Sequence, residues 1–259
     1  MSAVDLYDKP SNNFSDLVND SIALIQATQL RHAGAWTQAN SLGAEDVVVT
    51  HLLHMAGALK TSDTSVFVLD TQRLHAQTLS LIAALEHRYA ISVRVFQPQV
   101  EQVLALVKRV ADNGIYESKA HRLDCCNVRK MQPLTHALAG QVGWITGLRR
   151  EQSNTRSVAS SLEQETTRLK LNPILDWTWG DVWHFIAQHQ LAYNPLHDAF
   201  FPSIGCEPCT RAISVGEDFR AGRWWWESSD SHMPAKECGL HVQAATPLAA
   251  ATTPTEQST

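Results

Sequence analysis

Residues 65–96 read SVFVLDTQRLHAQTLSLIAALEHRYAISVRVF, and this stretch decides the fold. Ser65 to Leu69 is a short run rich in β-branched and aromatic side chains, a buried strand that stops at Asp70-Thr71. Leu74 to His87 repeats its apolar residues at helical spacing, and Ile91 to Phe96 returns to strand character. Strand, helix and strand at these lengths form a βαβ unit.

The same alternation extends outward. A strand over 35–40 precedes the turn Ser41-Leu42-Gly43-Ala44-Glu45-Asp46, Val100–Ala111 reads as a helix, and Val142–Thr146 as a strand ending before Gly147. Residues 15–32 form a first amphipathic helix on Leu17, Ile22, Leu24, Ile25 and Leu30. Asn127–Leu138 is helical despite Pro133. Thr178–His189 is a helix with Thr178 at its N-cap and Asp181 at the capping-box position. The segment VVVTHLLHMAG stays ambiguous, because three valines favour strand while its length and Gly57 favour helix. The expected fold is therefore α/β, a mostly parallel twisted sheet with helices on both faces. Ligands in such sheets bind beyond the carboxyl ends of the strands, where the turns at Ser41, Asp70 and Gly147 all lie.

A chain of 259 residues with 44% hydrophobic and 18% charged residues can bury one large core. We expect a flexible N-terminus over 1–14, one domain over 15–242 and a low-complexity tail over 243–259. The first twenty residues lack an apolar signal region and no apolar run reaches membrane-spanning length, so a cytoplasmic protein without membrane association is expected. Net charge is −5, which argues against non-specific nucleic-acid binding. Between Lys119 and Arg156, however, seven basic residues face two acids, a local +5 suited to a small polyanion or to a solvated face.

The five cysteines divide four to one. Cys125-Cys126 are adjacent, Cys206 and Cys209 flank a Glu-Pro turn, and Cys238 stands alone. Four thiolates suit an iron–sulfur cluster or zinc, and vicinal ligands require a locally bent backbone. Lys130 follows Cys126 by about one helical turn. Arg149, Arg150 and Arg156 follow a strand closely enough to grip phosphate or sulfate, with a surface ion-pair network as the alternative. Arg220 and Arg223 precede Trp224-Trp225-Trp226, a triplet that must pack onto something. Cys238 has Lys236 and His241 nearby, neighbours able to lower its pKa.

Together CCNVRK, LDTQRLH, GLRREQSNTR, YNPLHDAFFPSIGCEPCTR, EDFRAGRWWWE and KECGLH resemble the assimilatory adenylyl-sulfate (APS) reductases. These form the iron–sulfur branch of the phosphoadenylyl-sulfate (PAPS) reductase family, which has the adenine-nucleotide α-hydrolase-like fold. The resemblance covers roughly residues 15–242. It implies thioredoxin-dependent (or glutaredoxin-like) reduction of adenylyl sulfate to sulfite and AMP, in sulfate assimilation and cysteine biosynthesis. It implies one 4Fe-4S cluster per chain on Cys125, Cys126, Cys206 and Cys209. Cys238, on an arm over 235–242, is the implied nucleophile, forming an S-sulfocysteine. Lys130, Arg220, Arg223 and His241 match positions that hold sulfate and phosphate. Ser41, Gly43 and Asp46 match a modified pyrophosphate loop, Leu69 and Asp70 line the nucleotide, and Arg149 and Arg156 align with a basic loop.

Leu42, where an aromatic is usual, and Gln72, where glycine is usual, depart from that pattern, and ESSDSHMPAKE before Cys238 is long. The competing readings are a PAPS or dual-specificity reductase, a tRNA thiolation enzyme, whose loop reads SGGxDS where this chain has SLGAED, and a non-catalytic zinc module. A homo-oligomer is possible.

Overall fold

The computed structural model describes residues 1–60, 63–111, 113–153, 156, 158–227 and 246–247. Its centre is β1 (Trp36–Ala39), β2 (Thr64–Leu69) and β3 (Val93–Phe96), parallel neighbours in that order. β4 (Gly143–Ile145) lies parallel on the other side of β1, and β6 (Leu169–Leu171) extends the sheet beyond β4. β5 (Leu162–Gln164) and β7 (Thr246–Pro247) add an antiparallel edge, giving the order β3-β2-β1-β4-β6-β5-β7. Connections leave β1 towards β2 on one side, whereas β4 lies on the other. The gap between the ends of β1 and β4 is thus the topological switch point, where a crevice opens.

Register also sets packing. Trp36 pairs with Gly143 across β1 and β4, and a Cβ on Gly143 would lie 2.4 Å from the Trp36 ring. Glycine is needed there because the indole occupies that space. Along β2, Val66 and Val68 enter the main core, while Phe67 enters a second core with Leu134, Leu138 and Trp144. Alternate residues therefore bury both faces, as a parallel sheet requires.

The ambiguous segment is helical. α3 (Ala44–Met55) follows Gly43 as N-cap and buries nearly every residue from Ala44 to Leu53, so packing overrides the strand preference of its valines. The helix expected over 74–87 is interrupted at Ser80 into α4 (Ala76–Leu79) and α5 (Leu81–Tyr89). α6 spans Val100–Val110 and α9 Trp179–Gln188, the latter with the Thr178–Asp181 capping box in place. α7 (Lys119–Cys126) runs into a π-helical stretch, Asn127–Met131, and then α8 (Gln132–Ala137), where Pro133 sits in the first turn. Pro133 lacks an N–H and would crowd a carbonyl four residues earlier, so the wider turn before it is the natural accommodation.

One expectation needs correction. Within the stretch read as a flexible N-terminus, Ala3–Tyr7 forms α1 and Phe14 begins α2 (Phe14–Arg31). Ser2 and Asp5 close a capping box, Ala3 N–H donates to Asp198 at 2.7 Å, and Ser11 donates to Asp181 through both N–H and hydroxyl at 2.7 Å. Tyr7 packs edge-on against Trp179 with ring centres 5.8 Å apart. These partners lie far off in sequence, which is why local composition missed them. Thr246 and Pro247 of the expected tail pair with β5, while the rest of that tail lies outside the described residues. Among the described residues no helix is long and apolar enough to cross a membrane.

Candidate active site

The loop between β1 and α3 is organised by its own side chains. Asn40 Oδ1 accepts the Leu42 N–H at 2.7 Å, and Asp46 accepts the Ser41 N–H at 2.8 Å, the Ser41 hydroxyl at 2.5 Å and the Gly147 N–H at 2.9 Å. Asp46 thus ties the end of β1 to the turn after β4, across the switch point. Burial pushes its pKa up to about 6, with the Ser41 and Gly147 hydrogen bonds working against that rise and Glu45 adding to it. Glu45 is different. Burial disfavours its charge, but Arg149 and Gln152 more than offset this and hold its carboxyl below the ordinary range. Glu45 accepts from Arg149 Nη2 at 3.0 Å and from Gln152 Nε2 at 2.9 Å.

A cleft of about 210 Å³ opens beyond the strand ends. Ala39, Phe67, Leu69 and Trp144 give it an apolar wall, and Ser41, Glu45, Asp46, Gln152 and Arg156 a polar one. Lys130, Arg220, Arg223 and Trp224 line the side it shares with Cys126, Cys206 and Cys209. Of the residues expected to contact a ligand, Ser41, Asp46, Leu69, Lys130, Arg156, Arg220 and Arg223 converge here.

Gly43, Asp70 and Arg149 do not line it. Gly43 serves as the extended N-cap of α3. Asp70 accepts the Gln72 N–H and the Gln97 amide, both at 2.8 Å, an Asx turn that fixes the loop. Arg149 is 1% exposed and committed to Glu45 and Glu151, with its guanidinium 5.2 Å from the Trp179 ring centre. Glu45 reaches it from over a hundred residues earlier, so Arg149 braces the loop between β1 and α3. The departures at Leu42 and Gln72 have a shared geometry. Both take left-handed backbone, φ 63° and 59°, at a cost of roughly 1–2 kcal/mol each for a side-chain-bearing residue.

Next to the cleft lies a smaller cavity of about 50 Å³ lined by Cys125, Cys126, Cys206 and Cys209, together with Arg122, Arg129 and Lys130. Cys125 and Cys126 end α7, and the π-helical stretch that follows supplies the irregular backbone expected beside vicinal cysteines. Cys206 caps a single 3-10 turn, Glu207–Cys209, which contains Pro208 and ends on Cys209. Thr71 Oγ1 lies 3.2 Å from Cys206 Sγ, and Arg129 donates to Thr71 O at 2.9 Å. Burial, reinforced by the neighbouring sulfurs, pushes the Cys209 thiol up to about 12 and raises Cys125 as well. Among the described residues no three His, Cys, Asp or Glu side chains gather closely enough to hold a single metal ion. The four sulfurs share a cavity rather than a point.

Sequence reading missed Arg122, Glu45 and Gln152. Arg122, one helical turn before Cys126, is 1% exposed, ion-pairs with Glu227 and sits 4.6 Å from the Trp224 ring centre. Arg223 lies 4.5 Å from the same ring. The spacing of Arg122 from Cys126 was its only visible signal. Of the tryptophan triplet, Trp224 is buried and Trp226 packs edge-on to Tyr116 at 4.5 Å, whereas Trp225 is 40% exposed and leans on Trp226. Cys238, His241 and the arm over 235–242 lie outside the described residues.

A mostly parallel sheet with a loop and helix at its switch point, and a cleft with an apolar wall and a basic margin beyond its strand ends, defines an α/β protein. The chain belongs to the phosphoadenosine phosphosulfate reductase family, whose domain matches residues 36–212. It is similar to the adenosine 5'-phosphosulfate reductase of Burkholderia cepacia, 47% identical over 214 residues, covering 82% of each chain. It is also similar to that of Allochromatium vinosum, 46% identical over 205 residues, covering 78% of this chain and 77% of the relative. In fold it resembles the phosphoadenylyl-sulfate reductase of Candida auris, crystallised as a phosphate complex. The TM-score is 0.60 at 20% identity, covering 77% of this chain and 97% of that one. An FMN adenylyltransferase of Candida glabrata, solved in complex with ATP, shares the fold at TM-score 0.53 and 13% identity, covering 79% of this chain and 67% of that one.

Proposed function

We propose that the chain reduces adenylyl sulfate to sulfite and AMP at the expense of a dithiol protein of the thioredoxin type. The observation that carries this reading is the junction of a nucleotide-sized cleft with a four-cysteine cavity through Lys130, Cys126, Cys206 and Cys209, in a chain 42–47% identical to relatives named for that reaction.

The residues fit a 4Fe-4S cluster. Burial and the neighbouring sulfurs raise the Cys125 and Cys209 thiols, and a bound metal centre is what turns such thiols into thiolates. Cys125, Cys126, Cys206 and Cys209 would hold it as thiolates, and it would supply a cross-link between α7 and the 206–209 turn.

The apolar wall takes the adenine, leaving the phosphosulfate to Lys130, Arg220 and Arg223. Their charges draw electron density from the bridging oxygen and stabilise AMP as it leaves. Cys238, as thiolate, attacks the sulfate sulfur. The S–O bond to phosphate breaks, its electron pair departs with AMP, and an S-sulfocysteine remains. A thiolate of the reductant then attacks Cys238 Sγ, and sulfite leaves with the electron pair of the S–S bond. The second thiol of the reductant resolves the mixed disulfide and releases Cys238, so two electrons have passed from dithiol to sulfur.

Mass spectrometry after incubation with adenylyl sulfate and no reductant should find a sulfonate adduct on Cys238. Unmodified Cys238 with AMP nevertheless released would refute the covalent route. Turnover on the 3'-phosphorylated nucleotide should be the slower, since the relatives at this identity carry the adenosine 5'-phosphosulfate name.

A further inference from the structure

Three donors at the switch point are aimed at one place, and all three are spent on a side chain. Asp46 Oδ2 accepts both the N–H and the hydroxyl of Ser41, and Oδ1 accepts the N–H of Gly147. Converging backbone N–H groups and a hydroxyl are a means by which loops hold anions, and here they come from the turn before α3 and the turn after β4. Here an internal anion already sits among them. The carboxylate is 8% exposed, lines the cleft, and has Glu45 beside it on the same wall. Lys130, Arg220 and Arg223 line the cleft where it adjoins the cysteines, so an acidic and a basic margin bound the same space.

An adenine ring satisfies the wall of Ala39, Phe67, Leu69 and Trp144 whatever is attached to the ribose. Selection among adenine nucleotides must therefore come from the tail. We propose that Asp46 is a specificity-determining residue, its carboxylate filling the phosphate cradle of the cleft so that an adenosine di- or triphosphate is excluded. The anionic tail that is accepted goes to Lys130, Arg220 and Arg223 instead. This rests on the cleft being an adenine-nucleotide site, as proposed above. It reverses the role expected for Asp46 from the sequence, from a contact that helps hold phosphate to one that stands in its place. A carboxylate there disfavours a polyphosphate twice, by consuming the donors and by like-charge repulsion at short range.

Calorimetric titration of the full chain with AMP and with ATP at pH 7.5, for wild type, Asp46→Asn and Asp46→Ser, tests this. Wild type should bind AMP at least about tenfold more tightly than ATP. Both variants should keep AMP binding within a few-fold and gain about tenfold or more for ATP, as expected when a good charge-assisted interaction replaces a repulsive one. AMP binding with no gain for ATP in either variant overturns the role of Asp46. Failure of wild type to bind AMP overturns the nucleotide reading of the cleft, and this proposal with it. Should the variants not fold, amide NMR of the wild type with saturating inorganic pyrophosphate decides. Unmoved Ser41 and Gly147 resonances support a filled cradle, and large shifts in both overturn it.

Discussion

Arg122 grips Glu227 across 105 residues of sequence, through Nε to Oε1 and Nη2 to Oε2, with Arg122 wholly buried and Glu227 nearly so. The pair joins α7, which ends in Cys125 and Cys126, to the segment that follows the three tryptophans. Removing one partner strands the other charge in a low-dielectric setting. Arg122→Met should therefore lose about 3–5 kcal/mol of stability. The double variant Arg122→Met with Glu227→Met should recover a substantial part of it. Urea unfolding midpoints check this, and a single-variant loss no larger than that of an exposed pair would remove the structural role.

Gly205 lies under Arg223. A Cβ at 205 would stand 2.5 Å from Arg223 Nη2 and 2.6 Å from its Cζ, so Gly205→Ala must move the guanidinium. One charge-assisted hydrogen bond is worth about 1.5–3 kcal/mol, so KM for adenylyl sulfate should rise roughly ten- to hundredfold. The thermal midpoint should move little, because the displaced group borders the cleft. Steady-state kinetics beside a melting curve separate the two effects.

Stability should respond to acid through opposed groups. Burial holds His51 and His197 down at about 4, from an ordinary 6.5, so the folded chain binds fewer protons than the unfolded chain between those values. Their contribution is present above pH 6.5 and lost as pH falls towards 4. Asp46, raised from 3.8 to about 6, acts the other way, its contribution being greatest below 3.8 and lost as pH rises through 6. Two histidines against one aspartate leave a net loss on acidification. Chemical denaturation at pH 7 and pH 5 should show it. Asp46→Asn, which removes the opposing group, should steepen the decline.

Cys206→Ser should abolish bound iron and acid-labile sulfide, whereas Cys238→Ser should keep both and lose sulfite production. Iron and sulfide analysis of anaerobically purified protein, with a sulfite assay alongside, distinguishes them. Stoichiometric zinc in the wild type would instead favour a purely structural site.

The sheet was legible because Ser65–Leu69 and its neighbours are short apolar runs closed by turn residues, a pattern that needs no distant partner. β5 and β6 were not. Each has three residues, and Glu163 and Lys170 look like surface until they pair at 3.3 Å inside the fold. Cys125, Cys126, Cys206, Cys209, Lys130, Arg220 and Arg223 stand out by residue type and spacing, and the fold brings them to two adjoining cavities. Arg149 and Arg156, both buried, could not be told apart, since what separates them is Glu45, which pairs with Arg149 while Arg156 lines the cleft. For Asp46, sequence shows that a carboxyl is present in the loop but not that it accepts the Ser41 and Gly147 donors.

The indole of Trp36 lies where a side chain at 143 would have to go, and the two positions face each other in the sheet register. Neither can drift alone. Over evolutionary time, descendants that gain bulk at 143 should carry a smaller residue at 36, so that this pair is inherited as a unit even where the surrounding strands diverge.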